Sequence, residues 1–170
     1  HRSARSQGDS FAIRGIMQLL GDLFREKQLA RMELGRLVTI DVVYDVLGSA
    51  LDADVQLTLR RALDHAEKHA AGHPHPGSAG HPGGDDLMAR VVKAVAMLEI
   101  VPDTEKTTPE LVARCLYDAL GQGNLQPAVE TALDVLRGQS FLGYSEKTGY
   151  KIESSAGQEW QREREAYTVG

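Results

Sequence analysis

Apolar residues recur at helical spacing along most of this chain. Ile13, Met17, Leu20 and Phe24 make the stripe of a first helix, capped by Asp9 or Ser10, and Ile16, Leu19 and Leu23 widen it. So broad a stripe predicts burial against more than one neighbour. Residues 25–38 alternate charge with Leu29, Met32, Leu34 and Leu37, and read as a second short helix or an ordered connection. Thr39 is placed to cap a helix carrying Val42, Val43, Val46 and Leu47, which Gly48-Ser49 ends. Asp52 or Asp54 starts another, with Val55, Leu59, Ala62, Leu63 and Ala66 on one face. Residues 9–70 thus predict about four helices and no strand.

Residues 71–85 carry repeated proline and glycine among histidines, a composition that disfavours helix and sheet alike. They read as a linker between a helical bundle at 1–70 and a second unit at 86–170. Asp85 or Asp86 caps a helix with Leu87, Val91, Val95 and Leu98 on its face, stopped by Ile100-Val101-Pro102. The stretch from Asp103 to Thr107 could add a small edge strand. Thr108-Pro109-Glu110 is a helix start: a hydroxyl cap, a proline whose fixed φ suits the first turn, and an acid at the positive helix end. Val112, Leu116 and Leu120 follow at helical spacing, and the Gly121–Asn124 break precedes a helix with Val129, Leu133 and Leu136, ended by Gly138. Phe141, Leu142 and Tyr144 then face Tyr150 and Ile152 across a turn closing on Gly149, as a bulged hairpin prefers. Ser155 to Gln158 fits a capping box, with Trp160, Arg164 and Tyr167 on one face after it. Helices, a short hairpin and a closing helix make a winged-helix pattern. The fold class expected is therefore mainly α, an N-terminal helical bundle followed by a winged-helix domain with a small β-hairpin wing.

Composition changes little in this picture but removes some functions. No apolar run is long enough to span a membrane, and no signal-peptide pattern is present. The single cysteine, Cys115, lies near the apolar face of a predicted helix and reads as a small buried hydrophobe, compatible with a reducing cytoplasm. Net charge is −5. Residues 86–170 hold nine Lys/Arg against thirteen Asp/Glu, a net −4, and residues 1–85 hold ten against eleven, a net −1. Neither half has the basic excess of a protein that lives on phosphate backbones. The start at His1 without methionine suggests a fragment of something longer.

Histidine is the most visible candidate chemistry. His65 and His69 sit at i, i+4, as paired metal ligands do. The intervening pattern is His-Ala-Glu-Lys-His, with the glutamate one place later than the zinc-protease pattern requires. The other clustered histidines lie in the Pro/Gly stretch, so only adventitious metal at His65 and His69 is expected. The chain has no Gly-x-x-x-x-Gly-Lys-Ser/Thr loop, no Gly-x-Ser-x-Gly elbow and no acid–base pair set by spacing, and no catalytic residue is nominated. A winged helix suggests DNA, because its last core helix commonly enters the major groove. With Val129, Ala132, Leu133 and Leu136 inward, Gln126, Glu130, Thr131, Asp134 and Arg137 face outward, and two of these five are carboxylates that repel phosphate. Gln126 and Arg137 suit base edges; Lys147 and Lys151 on the wing and Arg162 and Arg164 beyond it suit a backbone, but glutamates sit among the last two. Packing against another domain or protein is the plainer use of such a surface.

The ending Gly-Tyr-Lys-Ile-Glu-Ser-Ser-Ala-Gly-Gln-Glu-Trp, with Gly149, Tyr150, Ile152, Gly157, Glu159 and Trp160, resembles the large P-loop ATPases of BREX and phage-growth-limitation anti-phage systems. In that family a winged-helix segment follows an AAA-type ATPase module. The resemblance is specific over roughly residues 130–167 and topological before them. It implies that residues 9–70 are similar to the helical lid of such an ATPase and that Arg14 is a nucleotide-sensing candidate, with an ordinary exposed helix arginine as the plainer reading. The Walker motifs are absent here, so ATP and magnesium belong to the full-length family and no cofactor is expected in this chain. Its implied partners are other domains or subunits of a defence complex; a DNA-binding regulator is the alternative.

Overall fold

A computed structural model describes residues 15, 17–25, 34–48, 51–72, 86–100 and 106–153. Its elements are α1 (residues 17–25), α2 (Ile40–Leu47), α3 (Ala53–Gly72), α4 (Leu87–Ile100), α5 (Pro109–Cys115), α6 (Gln126–Gly138), β1 (Leu142–Ser145) and β2 (Gly149–Ile152). The chain is mainly helical, with a two-stranded antiparallel sheet.

α4 is the hub. Every residue from Met88 to Leu98 is buried, so the helix has no solvent face over three turns. Sequence periodicity assigns it one apolar stripe; the structure packs α2, α3, α5, α6 and β2 around it instead. Its start follows the expected signal, with Asp86 Oδ2 accepting from Met88 N at 3.4 Å. Leu59, Ala62 and Ala66 of α3 join Val91, Val95, Leu133 and Tyr150 in one hydrophobic cluster, so the helices before residue 73 and the elements after residue 85 share a core. α3 itself runs through Gly72, two residues into the stretch that composition assigns to the linker.

Full burial of α4 requires partners for its two charges. Arg90 Nε meets Asp41 Oδ2 at 3.2 Å, its second guanidinium nitrogen meets Asp118 Oδ2 at 3.4 Å, and its third donates to the Leu116 carbonyl at 2.8 Å. Lys93 Nζ lies 2.6 Å from Asp45 Oδ1 and 5.8 Å from the centre of the Tyr44 ring. Asp41 and Asp45 are one helical turn apart on α2, and Arg90 and Lys93 one turn apart on α4, so two helix faces meet charge to charge. Burial pushes the Tyr44 phenol up, the largest effect there, partly offset by Lys93.

The remaining elements follow local rules closely. Thr108 caps α5 by accepting from Leu111 N at 3.2 Å, with Pro109 in the first turn. Asp52 Oδ1 accepts from Asp54 N ahead of α3. Thr39 precedes α2 but its side chain makes no cap bond. α6 turns Val129, Ala132, Leu133 and Leu136 inward as the spacing predicts. α6 stops at Gly138 as expected; in the turn after it Ser140 takes the left-handed conformation at φ 59°, and Phe141 N reaches back to the Leu136 carbonyl. In the hairpin, Leu142 pairs with Ile152 and Tyr144 with Tyr150. Gly149 sits at φ +76°, and any Cβ there would collide with the Thr107 carbonyl. Thr107 and Gly149 form a parallel bridge, the one described trace of the edge strand expected near 103–107.

Two expectations need correction and a third is narrowed. The α5 helix ends at Cys115, and Leu120 is not helical but 72% exposed; Leu120 N bonds the Gly35 carbonyl beside an antiparallel bridge of Arg36 with Ala119. Residues 34–39 are a turn and this bridge, which is the ordered connection rather than the short helix of the two readings of this stretch. In α1 the nominated face is outward: Met17 is 64% and Phe24 56% exposed, while Leu23, on the flank, is buried. Ile13, Ile16 and the C-terminal helix expected around Trp160 lie outside the described residues.

Candidate functional site

The exposed side of α6 has two flanks of different chemistry. One carries Glu130, Asp134 and Arg137 toward the hairpin, with Gln126 at the start of the helix before them. Three of these groups are already engaged: Gln126 Nε2 donates to Glu130 Oε1 at 2.9 Å, and Arg137 lies 5.6 Å from the centre of the Tyr144 ring. Lys106 lies 5.1 Å from the same ring centre and 3.3 Å from Glu146. Tyr144 in turn meets Tyr150 edge to face, ring centres 5.0 Å apart. Two cations on one ring, itself held by a second ring, fix the geometry of this corner. Burial pushes the Tyr150 phenol up, and the neighbouring Asp134 carboxylate adds to this.

Of the residues nominated for nucleic acid, Arg137, Lys147 and Lys151 are exposed and Gln126 is half-buried. Lys147 is in the hairpin turn and Lys151 is on β2, paired with Gly143 on the face away from Tyr150. Arg162 and Arg164, like Arg14, lie outside the described residues. Tyr144 was read from sequence only as the hairpin partner of Tyr150, which the register bears out, and Lys106 was not singled out, because a lysine just before a helix cap carries no distinctive spacing.

The other flank is less polar. Ala128, Thr131, Ala132 and Val135 line a cleft of about 280 Å³ with Leu87 and Met88 of α4 and with His69 and Asp86 at its rim. Thr131, assigned with the charged face by sequence, belongs here; its hydroxyl is 3.0 Å from the Pro127 carbonyl, to which it donates. A second, more open cleft of about 410 Å³ lies between α5 and the start of α6, walled by Glu110, Arg114, Tyr117, Asn124 and Gln126. There Arg114 lies 3.8 Å from Glu110, and Asn124 Oδ1 accepts from Gln126 N at 2.9 Å.

The histidine pair does share a helix face. The His65 and His69 rings are 6.4 Å apart, and His65 also packs 5.5 Å from Phe141, centre to centre. The His65 Nε2 is buried without a hydrogen-bond partner among the described residues. No group of three His, Cys, Asp or Glu that could hold a metal ion is present among the described residues. Cys115 is half-buried, and burial pushes its thiol up, which makes it a poor nucleophile. The strongest ionic constellation, Arg90 with Asp41 and Asp118, is enclosed in the core, where it ties segments together and is closed to substrate. Among the described residues no helix is long and apolar enough to cross a membrane. No protein-family profile, no curated protein and no solved structure matches the chain.

Proposed function

We propose that this chain is a non-catalytic contact segment of a larger assembly. In this reading residues 86–170 form a winged helix and residues 1–70 a lid-like helical block, in a protein similar to the anti-phage P-loop ATPases, and the block would couple the nucleotide state of an ATPase module elsewhere to movement of the winged helix. The order α4, Thr107 bridge, α5, α6, β1, β2 supports the winged helix. The observation that carries the functional reading is the hairpin-side flank of α6. It presents Glu130 and Asp134, its glutamine is tied to Glu130, and its arginine is stacked on Tyr144. Such a face disfavours a phosphate backbone and suits a protein surface.

The cations gathered around the wing, Lys106, Arg137, Lys147 and Lys151, favour the second reading, a DNA-binding regulator. Fluorescence anisotropy with labelled duplex DNA at low and physiological salt separates the two. The contact-segment reading expects no saturable binding at physiological salt. Tight binding that weakens steeply with salt overturns it.

A further inference from the structure

We infer that the cleft between α6 and the facing ends of α3 and α4 receives one apolar side chain of a partner peptide, flanked in that peptide by lysine or arginine. The inference rests on the contact-segment reading and gives it a place and a chemistry. The cleft's base is apolar and buried at Met88 and Ala132, and its walls are Leu87, Ala128 and Val135. Its volume, about 280 Å³, is larger than the roughly 150 Å³ that holds a single benzene ring and below the range of most cofactor pockets. That is room for a leucine or phenylalanine side chain with part of its backbone.

The rim selects the neighbours of that side chain. Among the described residues neither Lys nor Arg lines the cleft, and Asp86 is the carboxylate at its rim. The Asp86 carboxylate is half-buried and bonds its own helix only at 3.4 Å. His69, the basic residue of the last turn of α3, stands beside the carbonyl end of that helix. The Thr131 hydroxyl proton is committed to Pro127, so this rim oxygen can only accept. An acceptor-rich, negative rim around an apolar base is complementary to a donor-rich cation beside an apolar anchor. The overall charge of −5 acts in the same direction at longer range.

The test is an NMR titration of the full chain with three capped tripeptides: Lys-Phe-Lys, Glu-Phe-Glu and Lys-Ala-Lys. One anchored side chain gives weak binding, so the titration runs to about 10 mM. The expected result is amide shifts at Leu87, Ala128, Thr131 and Val135 with Lys-Phe-Lys, at least about threefold weaker binding of Glu-Phe-Glu, and no cleft shifts with Lys-Ala-Lys. Ala128→Phe, which fills the cleft from an exposed helix position, removes the shifts. Asp86→Asn, which can still cap α4, keeps them but narrows the charge preference. Shifts confined to residues outside the cleft, equal binding of the Lys and Glu peptides, or full binding by a folded Ala128→Phe variant overturns the inference. The DNA titration above stands apart: salt-dependent duplex binding removes the contact-segment reading itself, whereas an empty cleft without duplex binding removes only this inference.

Discussion

The guanidinium of Arg90 lies 3.4 Å from the carboxylate of Asp118, with both side chains almost wholly inside the protein. The same guanidinium serves Asp41 and the Leu116 carbonyl, so one planar group joins α2, α4 and the segment after α5. Its fork shape allows three simultaneous contacts where an ammonium has one centre. Arg90→Met leaves Asp41 and Asp118 charged in the core, and a loss of about 3–5 kcal/mol is expected. Arg90→Lys keeps the charge but cannot reach all three acceptors, so it should fall between. Urea unfolding midpoints at constant slope measure both.

Two backbone positions should respond in opposite directions. Gly149→Ala puts a Cβ both into a left-handed conformation and onto the Thr107 carbonyl. A loss of at least about 2 kcal/mol is expected. Ser140 pays for a left-handed φ of 59° with a side chain attached, so Ser140→Gly should be stabilising by about 0.5–1 kcal/mol. Thermal melts of the two variants beside the parent check the signs.

Alkaline pH should loosen the fold through its tyrosines. The Tyr44 and Tyr150 phenols are held above the ordinary value of 10.0, chiefly by burial. The folded state therefore favours the protonated form. The stability this contributes is complete below the unfolded pKa and is lost as pH rises through the folded one. Stability should accordingly fall as pH climbs beyond about 10. The Tyr44→Phe/Tyr150→Phe double variant should show a shallower decline in a pH series of urea unfolding curves.

His65 offers a stability change with an unusual sign. Its Nε2 is buried without a hydrogen-bond partner among the described residues, and its ring rests near Phe141. Replacing a buried, unpaired polar group with an apolar one of similar size removes a desolvation cost. His65→Leu is expected to be neutral or stabilising, by up to about 1 kcal/mol. A destabilisation beyond that range would show that the imidazole nitrogen is paired in solution.

Local chemistry made parts of this fold legible. The Thr108 cap, the inward set Val129, Leu133 and Leu136, and the glycine that closes the hairpin each follow from rules acting over a few residues. What could not be read depended on distant partners. Arg90 and Lys93 look like solvent-facing residues of an amphipathic helix until Asp41 and Asp45 are placed against them. Leu120 continues a helical spacing by coincidence, while pairing with Gly35 takes its backbone elsewhere. In α1 the stripe was wide enough to fit several orientations, and tertiary packing buried Leu23 while leaving Met17 and Phe24 outside. For the candidate surface, the carboxylates of α6 were visible in the sequence. The cleft beside them was not, because it is shared between α6 and the ends of two helices that meet only in three dimensions.

Because α4 is wrapped on every side, neither portion of the chain can satisfy itself. Cut between Gly72 and Asp86, the first piece would expose Leu59, Ala62 and Ala66, and the second would bare the α4 charges that Asp41 and Asp45 neutralise. Separately produced pieces should each be poorly structured, yet mixing them in equal amounts should restore helical circular dichroism and a single melting transition. The hub helix thus makes this protein a natural subject for fragment complementation.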